Sequence, residues 1–507
     1  MWLIVIAVVL VALTWLIHNQ YSYWTRHGAP SDMPIPPFGS MKDTVLGKKA
    51  LGFVIHDIYK RYQERFVGIF ILFKPTLLIR DPELARNILV QDFNSFHDRG
   101  TDTNATKELL SLRGASWKTL RAMLNPLFST GKIKGTLPVV NEVGDRLVNY
   151  IETQLKSDRN KLIDMKDVMT TYAIDIIGNV FFGLDVDSYK TPKNELRIIS
   201  EAFITPLTWI DSAHLFGQFA CTPLAKFIDL FGYVPTPFTL VRKLIKHTVD
   251  YREKNDVVRR DFLQLLIQLR NSGKINDDDN WYVETAAEEF KSMSIDMIAD
   301  QCSLFYIAGS ETTSVTSAFT LYELSMYPEL LKTAVEEVDS VLARHNLKPG
   351  DPFTYEALQD MKFIELCIME TIRKYPGLPF INRECTKDYK IPDSYYTIKK
   401  GTAIMISTLG LHYDPEYFED PIRYNPYRFA EERRNYKAEA YLPFGEGPRH
   451  CIAKRMGSVN SKIAIVKILA SFNIEPNERK EIEFEFTSGV AIIAKGGLKM
   501  KLSMKAE

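Results

Sequence analysis

The segment FGEGPRHCIAKRMG, residues Phe444 to Gly457, places a single cysteine, Cys451, between a glycine-containing loop and an apolar helical pattern. The apolar residues after the cysteine recur every three or four positions, as on one face of a helix: Ile452, Met456, Val459, Ile463, Val466 and Leu469. We therefore predict that the thiol lies at a helix N-terminus, where unpaired backbone N–H groups and the positive end of the helix dipole favour a thiolate.

The residues before Cys451 also need an explanation. Gly445 and Gly447 allow a tight loop to approach a flat surface closely, and Arg449 adds a cation two residues before the sulfur. A buried structural thiol, the commoner fate of a lone cysteine, accounts for neither the glycines nor the arginine. A metal-binding thiolate, with Arg449 facing a carboxylate on the bound group, accounts for both.

Composition limits the other functions of the chain. Lys and Arg together number 63, as do Asp and Glu, in 507 residues, so net charge gives no reason to expect a nucleic-acid partner. The five cysteines form no CxxC pair, which argues against a disulfide framework or a zinc site and favours a reducing compartment.

The N-terminus predicts a membrane anchor. Residues Trp2 to Ile17 carry no charge, and as a helix they span roughly 24 Å, close to the ~27 Å hydrocarbon layer of the endoplasmic reticulum. A cleaved signal peptide is the alternative, but the bulky HNQYSYW that follows does not suit a cleavage site. Basic residues follow the span, so the positive-inside rule places the rest of the chain in the cytosol. We assign 1–20 to the anchor, 21–45 to a proline-rich hinge and 46–507 to one catalytic domain.

Hydrophobic patterning predicts a mainly helical fold with small β-sheets near both ends. Residues 117–375 show apolar spacing of three to four. Before them we predict a hairpin that turns at Lys74–Pro75 and a helix that begins near Pro82. NSGKINDDDNW from Asn271 predicts a solvated connection, and strands around residues 495–497 predict a C-terminal hairpin. We find neither an internal repeat nor a second domain.

Phe444-x-x-Gly447-x-Arg449-x-Cys451 resembles the haem-binding loop of the cytochrome P-450 superfamily. The resemblance implies the cytochrome P-450 fold and haem b, with the Cys451 sulfur as the axial ligand of the iron and with Phe444 and Arg449 beside the cofactor. The family pattern continues with a glycine where this chain has Ala453.

The sequence AGSETT, residues 308–313, resembles the oxygen-activating helix of the same family, which matches Glu311 and Thr312 to its proton-delivery pair. On the residues alone, hydroxyl side chains that bond back to carbonyl groups and loosen the helix explain the stretch without any chemistry.

Glu370-x-x-Arg373 could be an ordinary surface ion pair, as in Glu83-x-x-Arg86. This Glu-x-x-Arg pair precedes NPYRF at 425–429. The same order of motifs forms the buried Glu-Arg-Arg network of the family, so the resemblance implies that Arg428 is the third member. Tyr427 stands where the family commonly has glutamate. The resemblance implies that this network holds the haem loop in place.

Trp117-x-x-x-Arg121 puts an indole and a guanidinium one helical turn apart, a weak pattern by itself. The resemblance implies that both contact the haem propionates, together with Arg383 and Arg449, since arginine forms forked, charge-assisted bonds with carboxylates.

The resemblance extends along the chain and is closest to membrane-bound insect forms. It implies a monooxygenase of the endoplasmic reticulum membrane that inserts one atom of O2 into a lipophilic xenobiotic, hormone or lipid. Since no GxGxxG follows a predicted strand, we expect electrons from a separate NADPH-dependent flavoprotein reductase, with cytochrome b5 as a further donor. The alternatives are a haem-thiolate isomerase or dehydratase that needs no reductase, and an inactive member of the fold. The segment 101–116 is shorter than in those relatives, which weakens any substrate analogy.

Basic residues near the thiolate predict a docking face for an acidic partner, formed by the exposed members of the set Arg113, Lys118, Arg449, His450, Lys454 and Arg455.

Overall fold

Helices form most of the structure, a computed structural model that describes residues 1–505 except 102, 104, 205–207, 260, 273–292, 480–481 and 485–493. The α-helices are α1 (Trp2–Tyr21), α2 (Tyr23–Arg26), α3 (Lys42–Val45), α4 (Leu51–Arg61), α5 (Pro82–Arg86), α6 (Gly114–Leu124), α7 (Thr130–Ser157), α8 (Met165–Ile176), α9 (Glu195–Ile204), α10 (Trp209–Ala220), α11 (Thr222–Asp229), α12 (Thr236–Lys254), α13 (Phe262–Ser272), α14 (Ile295–Met326), α15 (Pro328–Arg344), α16 (Tyr355–Asp360), α17 (Lys362–Lys374), α18 (Thr408–His412) and α19 (Lys454–Ser471). The strands are β1 (Phe66–Ile71), β2 (Lys74–Ile79), β3 (Leu162–Asp164), β4 (Ile381–Glu384), β5 (Tyr389–Lys390), β6 (Thr397–Ile398), β7 (Ala403–Ile406), β8 (Phe472–Pro476) and β9 (Lys499–Met504).

The central helix is α14, which packs against α8, α12, α17 and α19. The Ser294 side chain caps its first turn by accepting from the Met297 N–H at 3.1 Å. The helix ends at Met326 because Pro328 disfavours helical backbone at Tyr327. Most residues of this helix are buried, which makes it the core element around which the others are arranged.

Two sheets join distant parts of the chain. The first has the order β1-β2-β7-β4, with β2 parallel to β7 and the other neighbours antiparallel. The second has the order β3-β9-β8, and β5 pairs with β6. The predicted fold class, mainly helical with small sheets near both ends, is confirmed.

The first hairpin turns two residues earlier than predicted. Lys74 and Pro75 belong to β2, where Pro75 faces Phe70, and the turn lies at Leu72 and Phe73. Leu72 adopts a left-handed backbone with φ 53°. Proline is tolerated in β2 because pairing with β7 begins only at Thr76, so its missing N–H removes no bond to that strand. The helix predicted near Pro82 begins there.

The helix α1 is long and apolar enough to cross a membrane. The chain after it, predicted as a hinge, packs on the first sheet: the buried Trp24 indole donates to the Ile69 carbonyl at 3.0 Å. Gly68 leaves the room for this indole, because a Cβ there would lie 2.3 Å from the Trp24 ring. Further along, Ser31 and Gly39 form bridges to β1. The polar connection after Ser272 and residues 490–493 of the predicted C-terminal hairpin lie outside the described residues, whereas the second strand of that hairpin is β9, which pairs with β3 and β8.

Candidate active site

The cysteine loop is folded by its own backbone bonds. The Cys451 N–H donates to the Phe444 carbonyl at 2.9 Å, and Gly445 and Gly447 both adopt positive φ, at 66° and 71°. A Cβ on Gly447 would lie 1.9 Å from the Leu89 carbonyl oxygen, so only glycine permits this close approach. The apolar helix after the loop, α19, begins at Lys454, three residues beyond the cysteine.

The electrostatic expectation for the thiol needs a correction. Burial raises the pKa of Cys451, and this outweighs the Ala453 backbone N–H and the nearby positive charges of Arg121, Arg99 and Lys454, all of which lower it. The predicted stabilisation of the thiolate by loop and helix therefore exists, but it does not compensate the lost hydration of the anion by itself. A cation bound at the sulfur would supply the remaining stabilisation that the thiolate needs.

Three arginines lie around this thiol, and among the described residues only Arg449 has a carboxylate within 4 Å, that of Asp98 at 3.6 Å from its Nη2. Burial lowers the pKa of Arg99 to about 10 and that of Arg449 to about 9, and it lowers the pKa of Arg383 well below its ordinary value; mutual repulsion among the three adds to the effect for Arg383 and Arg449. Within the described residues, Nε of each arginine and Nη1 of Arg449 have no hydrogen-bond partner. Buried, unsatisfied guanidinium groups are costly unless an anion binds them. A haem, with its two propionates and its iron, fits both the arginines and the thiol.

Trp117, Arg121 and Arg449, predicted from separate motifs, come together here. The Arg449 guanidinium lies 4.2 Å from the centre of the Trp117 ring, and its Nη2 donates to the Leu112 carbonyl at 2.7 Å. Arg121, one turn after Trp117 on α6, has its pKa lowered by burial, and the nearby Cys451 opposes that shift. Helix α6 thus contributes an aromatic face and a cation to the same site as the cysteine loop.

On α14, Glu311 and Thr312 face different surroundings. Thr312 and Ala308 are exposed on the same face of a helix that is otherwise mostly buried against its neighbours. The Thr312 hydroxyl donates to the Ala308 carbonyl at 2.6 Å. Glu311 instead pairs with Lys166 of α8, Oε2 to Nζ at 3.1 Å, and its Oε1 is buried without a partner among the described residues. The structure therefore does not join the predicted proton-delivery pair by a hydrogen bond.

The predicted Glu-Arg-Arg network is fully assembled and buried. Glu370 accepts from Arg373 Nε at 2.7 Å and Nη2 at 2.9 Å, and from Arg428 Nε at 3.2 and 3.1 Å. The Asn425 N–H donates to the same carboxylate at 2.9 Å. Arg373 and Arg428 use their remaining donors on backbone carbonyls, including those of His412 and Glu419.

Sequence reasoning missed the part of the site that precedes α6. Asp98 accepts from Arg113 Nε at 3.2 Å and from the Gly114 N–H at 2.8 Å, and it lies 3.6 Å from Arg449 Nη2. Arg113 also bonds Glu384 of β4. Asp98 and Arg99 are adjacent in the tripeptide DRG, whose sequence carries no sign of which side chain faces inward.

The predicted docking face loses two members. Arg449 is buried, and Arg113, whose side chain is 35% exposed, is engaged by Asp98 and Glu384. The remaining four residues are exposed: Lys118, His450, Lys454 and Arg455.

Comparisons with known proteins agree with this geometry. The family model described as Cytochrome P450 matches residues 29–502. Probable cytochrome P450 6d2 of Drosophila melanogaster is 50% identical over 100% of both chains, and Cytochrome P450 6d1 of Musca domestica is 50% identical over 96% of both. Cytochrome P450 6k1 of Blattella germanica is 36% identical over 97% of this chain and 94% of its own. Members of this family carry haem with an axial cysteine thiolate, and they take O2, a small-molecule substrate and a redox partner. The chain belongs to the cytochrome P450 family, in the group of insect microsomal-type enzymes, and is a haem-thiolate monooxygenase.

Proposed function

We propose that this protein inserts one atom of O2 into a lipophilic small molecule, a xenobiotic, hormone or lipid, with Cys451 as the axial haem ligand. The observation that carries the assignment of this residue is one loop thiol beside Arg99, Arg383 and Arg449, whose buried Nε atoms have no hydrogen-bond partner among the described residues. Residues 46–507 form the catalytic domain on the cytosolic side of the endoplasmic reticulum membrane, and α1 is the anchor. The partners are an NADPH-dependent flavoprotein reductase and, as a second donor, cytochrome b5.

The residues around the cofactor have distinct tasks in this proposal. Arg99, Arg121, Arg383 and Arg449 bind the propionates, and the Trp117 ring supports Arg449 from one face. Phe444 packs beside the haem at the start of the loop. When bound, the haem supplies the activation of dioxygen; the protein orients the substrate, excludes water and controls the protons.

Proton delivery falls to Thr312 and Glu311. The Thr312 Oγ1 holds a proton that it now donates to the Ala308 carbonyl, on the exposed face of α14. Glu311 receives protons at Oε1 or Oε2 from the side of Lys166, whose Nζ also bonds Thr170 and Ser314 at 3.0 Å. The carboxylate has to be released by Lys166 before it can act toward Thr312.

The exposed basic residues Lys118, His450, Lys454 and Arg455 support docking of an acidic reductase. Charge complementarity mainly accelerates association, so reversal of charge should act on the rate at low reductase concentration. We expect Lys118→Glu with Lys454→Glu to slow reductase-driven turnover and to weaken its salt dependence, whereas Lys193→Glu, at an exposed lysine before α9, should not. Unchanged salt dependence in the double variant would disprove this face.

The competing functions differ in their requirements. A haem-thiolate isomerase or dehydratase turns over without reductase or O2, and an inactive member does not turn over at all. The test is a panel of lipophilic compounds with the full-length protein in vesicles, purified reductase and NADPH. Product that appears only with reductase and O2 together supports the proposal, and product without either one contradicts it.

A further inference from the structure

The buried imidazole of His412, the last residue of α18, connects two backbone segments. Its Nδ1 lies 2.9 Å from the Arg373 carbonyl oxygen, and its Nε2 lies 3.0 Å from the Leu442 backbone nitrogen. Arg373 returns a bond, from Nη1 to the His412 carbonyl at 2.8 Å. The side chain is fully buried, at 0% exposure.

These partners fix the protonation state of the ring. A carbonyl oxygen only accepts and a backbone N–H only donates, so Nδ1 must carry the proton and Nε2 must be bare. A protonated ring would place an N–H against the Leu442 N–H, and both bonds exist only in the neutral Nδ1–H tautomer.

Leu442 is the point where the cysteine loop begins. Its carbonyl accepts from the Gly445 N–H at 3.1 Å, and two residues later Phe444 accepts from Cys451. On the other side, Arg373 is fixed by Glu370 in the buried network. A continuous path of bonds therefore leads from the Glu-Arg-Arg network through His412 to the loop that carries the thiol.

We propose that His412 is a positioning residue that sets the cysteine loop relative to the Glu-Arg-Arg network by accepting the Leu442 N–H. This inference rests on the proposed role of Cys451 as the haem ligand. The loop needs such a restraint because its glycines, Gly445 and Gly447, leave its backbone with little stiffness of its own.

A packing role is the alternative, since the ring also stacks on Tyr441, with centroids 5.6 Å apart, and meets the edge of Phe418. Two substitutions separate the roles. His412→Gln carries its Oε1 to the position of Nε2 and keeps an acceptor for Leu442. His412→Asn places its Nδ2 at the position of Nδ1 and keeps only the bond to Arg373. Both remove the ring, so packing losses affect both variants.

The experiment uses the full-length haem-loaded protein and two measurements: hydrogen exchange of the peptide that contains Leu442, and the fraction of the reduced, carbon-monoxide-treated protein with the red-shifted Soret band after mild heating. We expect Leu442 exchange in His412→Asn to be about five- to tenfold faster than in His412→Gln, because one net hydrogen bond is worth a factor of this order. The red-shifted fraction should fall in the Asn variant and be retained in the Gln variant.

The control is His56→Gln, which replaces a neighbouring histidine that packs on Tyr413 and whose buried Nδ1 lacks a partner within the described chain. It should leave both measurements unchanged. Equal behaviour of the Asn and Gln variants would overturn the inference. If the wild-type protein itself lacks the red-shifted band, the proposed function fails instead, while the exchange comparison still decides the role of His412.

Discussion

Replacing Glu370 with glutamine tests the buried network quantitatively. The carboxylate accepts from Arg373, Arg428 and the Asn425 N–H, and the side chains of the two arginines are 0% and 3% exposed. Glutamine keeps one oxygen but turns an amide NH2 toward a guanidinium, and two buried positive charges remain without an anion. Removing one partner of a buried pair costs about 3–5 kcal/mol, a large part of the ~5–15 kcal/mol that stabilises a typical fold.

The assay is urea unfolding of the full-length protein in detergent, followed by far-UV circular dichroism and by loss of the Soret band. We expect Glu370→Gln to lower the free energy of unfolding by about 3–5 kcal/mol and to reduce the yield of haem-loaded protein. The matched control is Glu83→Gln, since Glu83 belongs to the same Glu-x-x-Arg pattern but forms an exposed pair with Lys437 at 2.8 Å. A change within ~1 kcal/mol of the control would refute the reasoning.

Three further predictions concern the loop, the central helix and pH. Gly447→Ala should sharply lower the ratio of haem to protein, because the new Cβ would lie 1.9 Å from the Leu89 carbonyl oxygen. Gly457→Ala, whose Cβ would have no atom within 4 Å, should leave the ratio unchanged. Equal ratios in the two variants would contradict the close approach at Gly447. Thr312→Ala should divert NADPH to hydrogen peroxide and lower product per NADPH by about tenfold or more, and Thr312→Ser should restore most of it; a fully coupled alanine variant would exclude the hydroxyl from proton delivery. Burial lowers the pKa of His412 to about 3, so as pH falls below 6.5 this imidazole is protonated in the unfolded protein before it is protonated in the folded protein. Relative to His412→Gln, the wild type should therefore lose about 1.5 kcal/mol of unfolding free energy between pH 6.5 and 5. Parallel pH profiles of the two proteins in urea titrations would contradict this.

The helical body and the cysteine loop were predictable because their signals are local. Apolar spacing between 117 and 375 reflects the buried faces of these helices, and the glycines before Cys451 are required by positive φ and close approach. The turn of the first hairpin was misplaced because a proline usually punctuates strands. Here β2 pairs with the parallel strand β7, which lies more than 300 residues later in the chain. That pairing begins just after Pro75, so the missing N–H of the proline removes no bond to β7.

The candidate site was predictable only as separate motifs. Each of Trp117, Arg121 and Arg449 is recognisable by pattern, but their convergence depends on how α6 meets the cysteine loop. Arg99 and the bonds of Arg113 to Asp98 and Glu384 depend on contacts between the 98–113 segment and β4. Such contacts have no local periodicity, so the sequence could not show which members of the basic set, Arg113 among them, are held by carboxylates. The same holds for the Glu311–Lys166 pair, which is set by the packing of α8 on α14.

The central claim is that the sulfur of Cys451 is the ligand of the haem iron, and the spectrum of the reduced, carbon-monoxide-treated protein tests it most directly. The wild-type protein should show a strongly red-shifted Soret band, and Cys451→Ser should lose that band or lose the haem, while Cys221→Ser, which changes an exposed cysteine between α10 and α11, should keep it. An unaltered red-shifted band in Cys451→Ser would contradict the account.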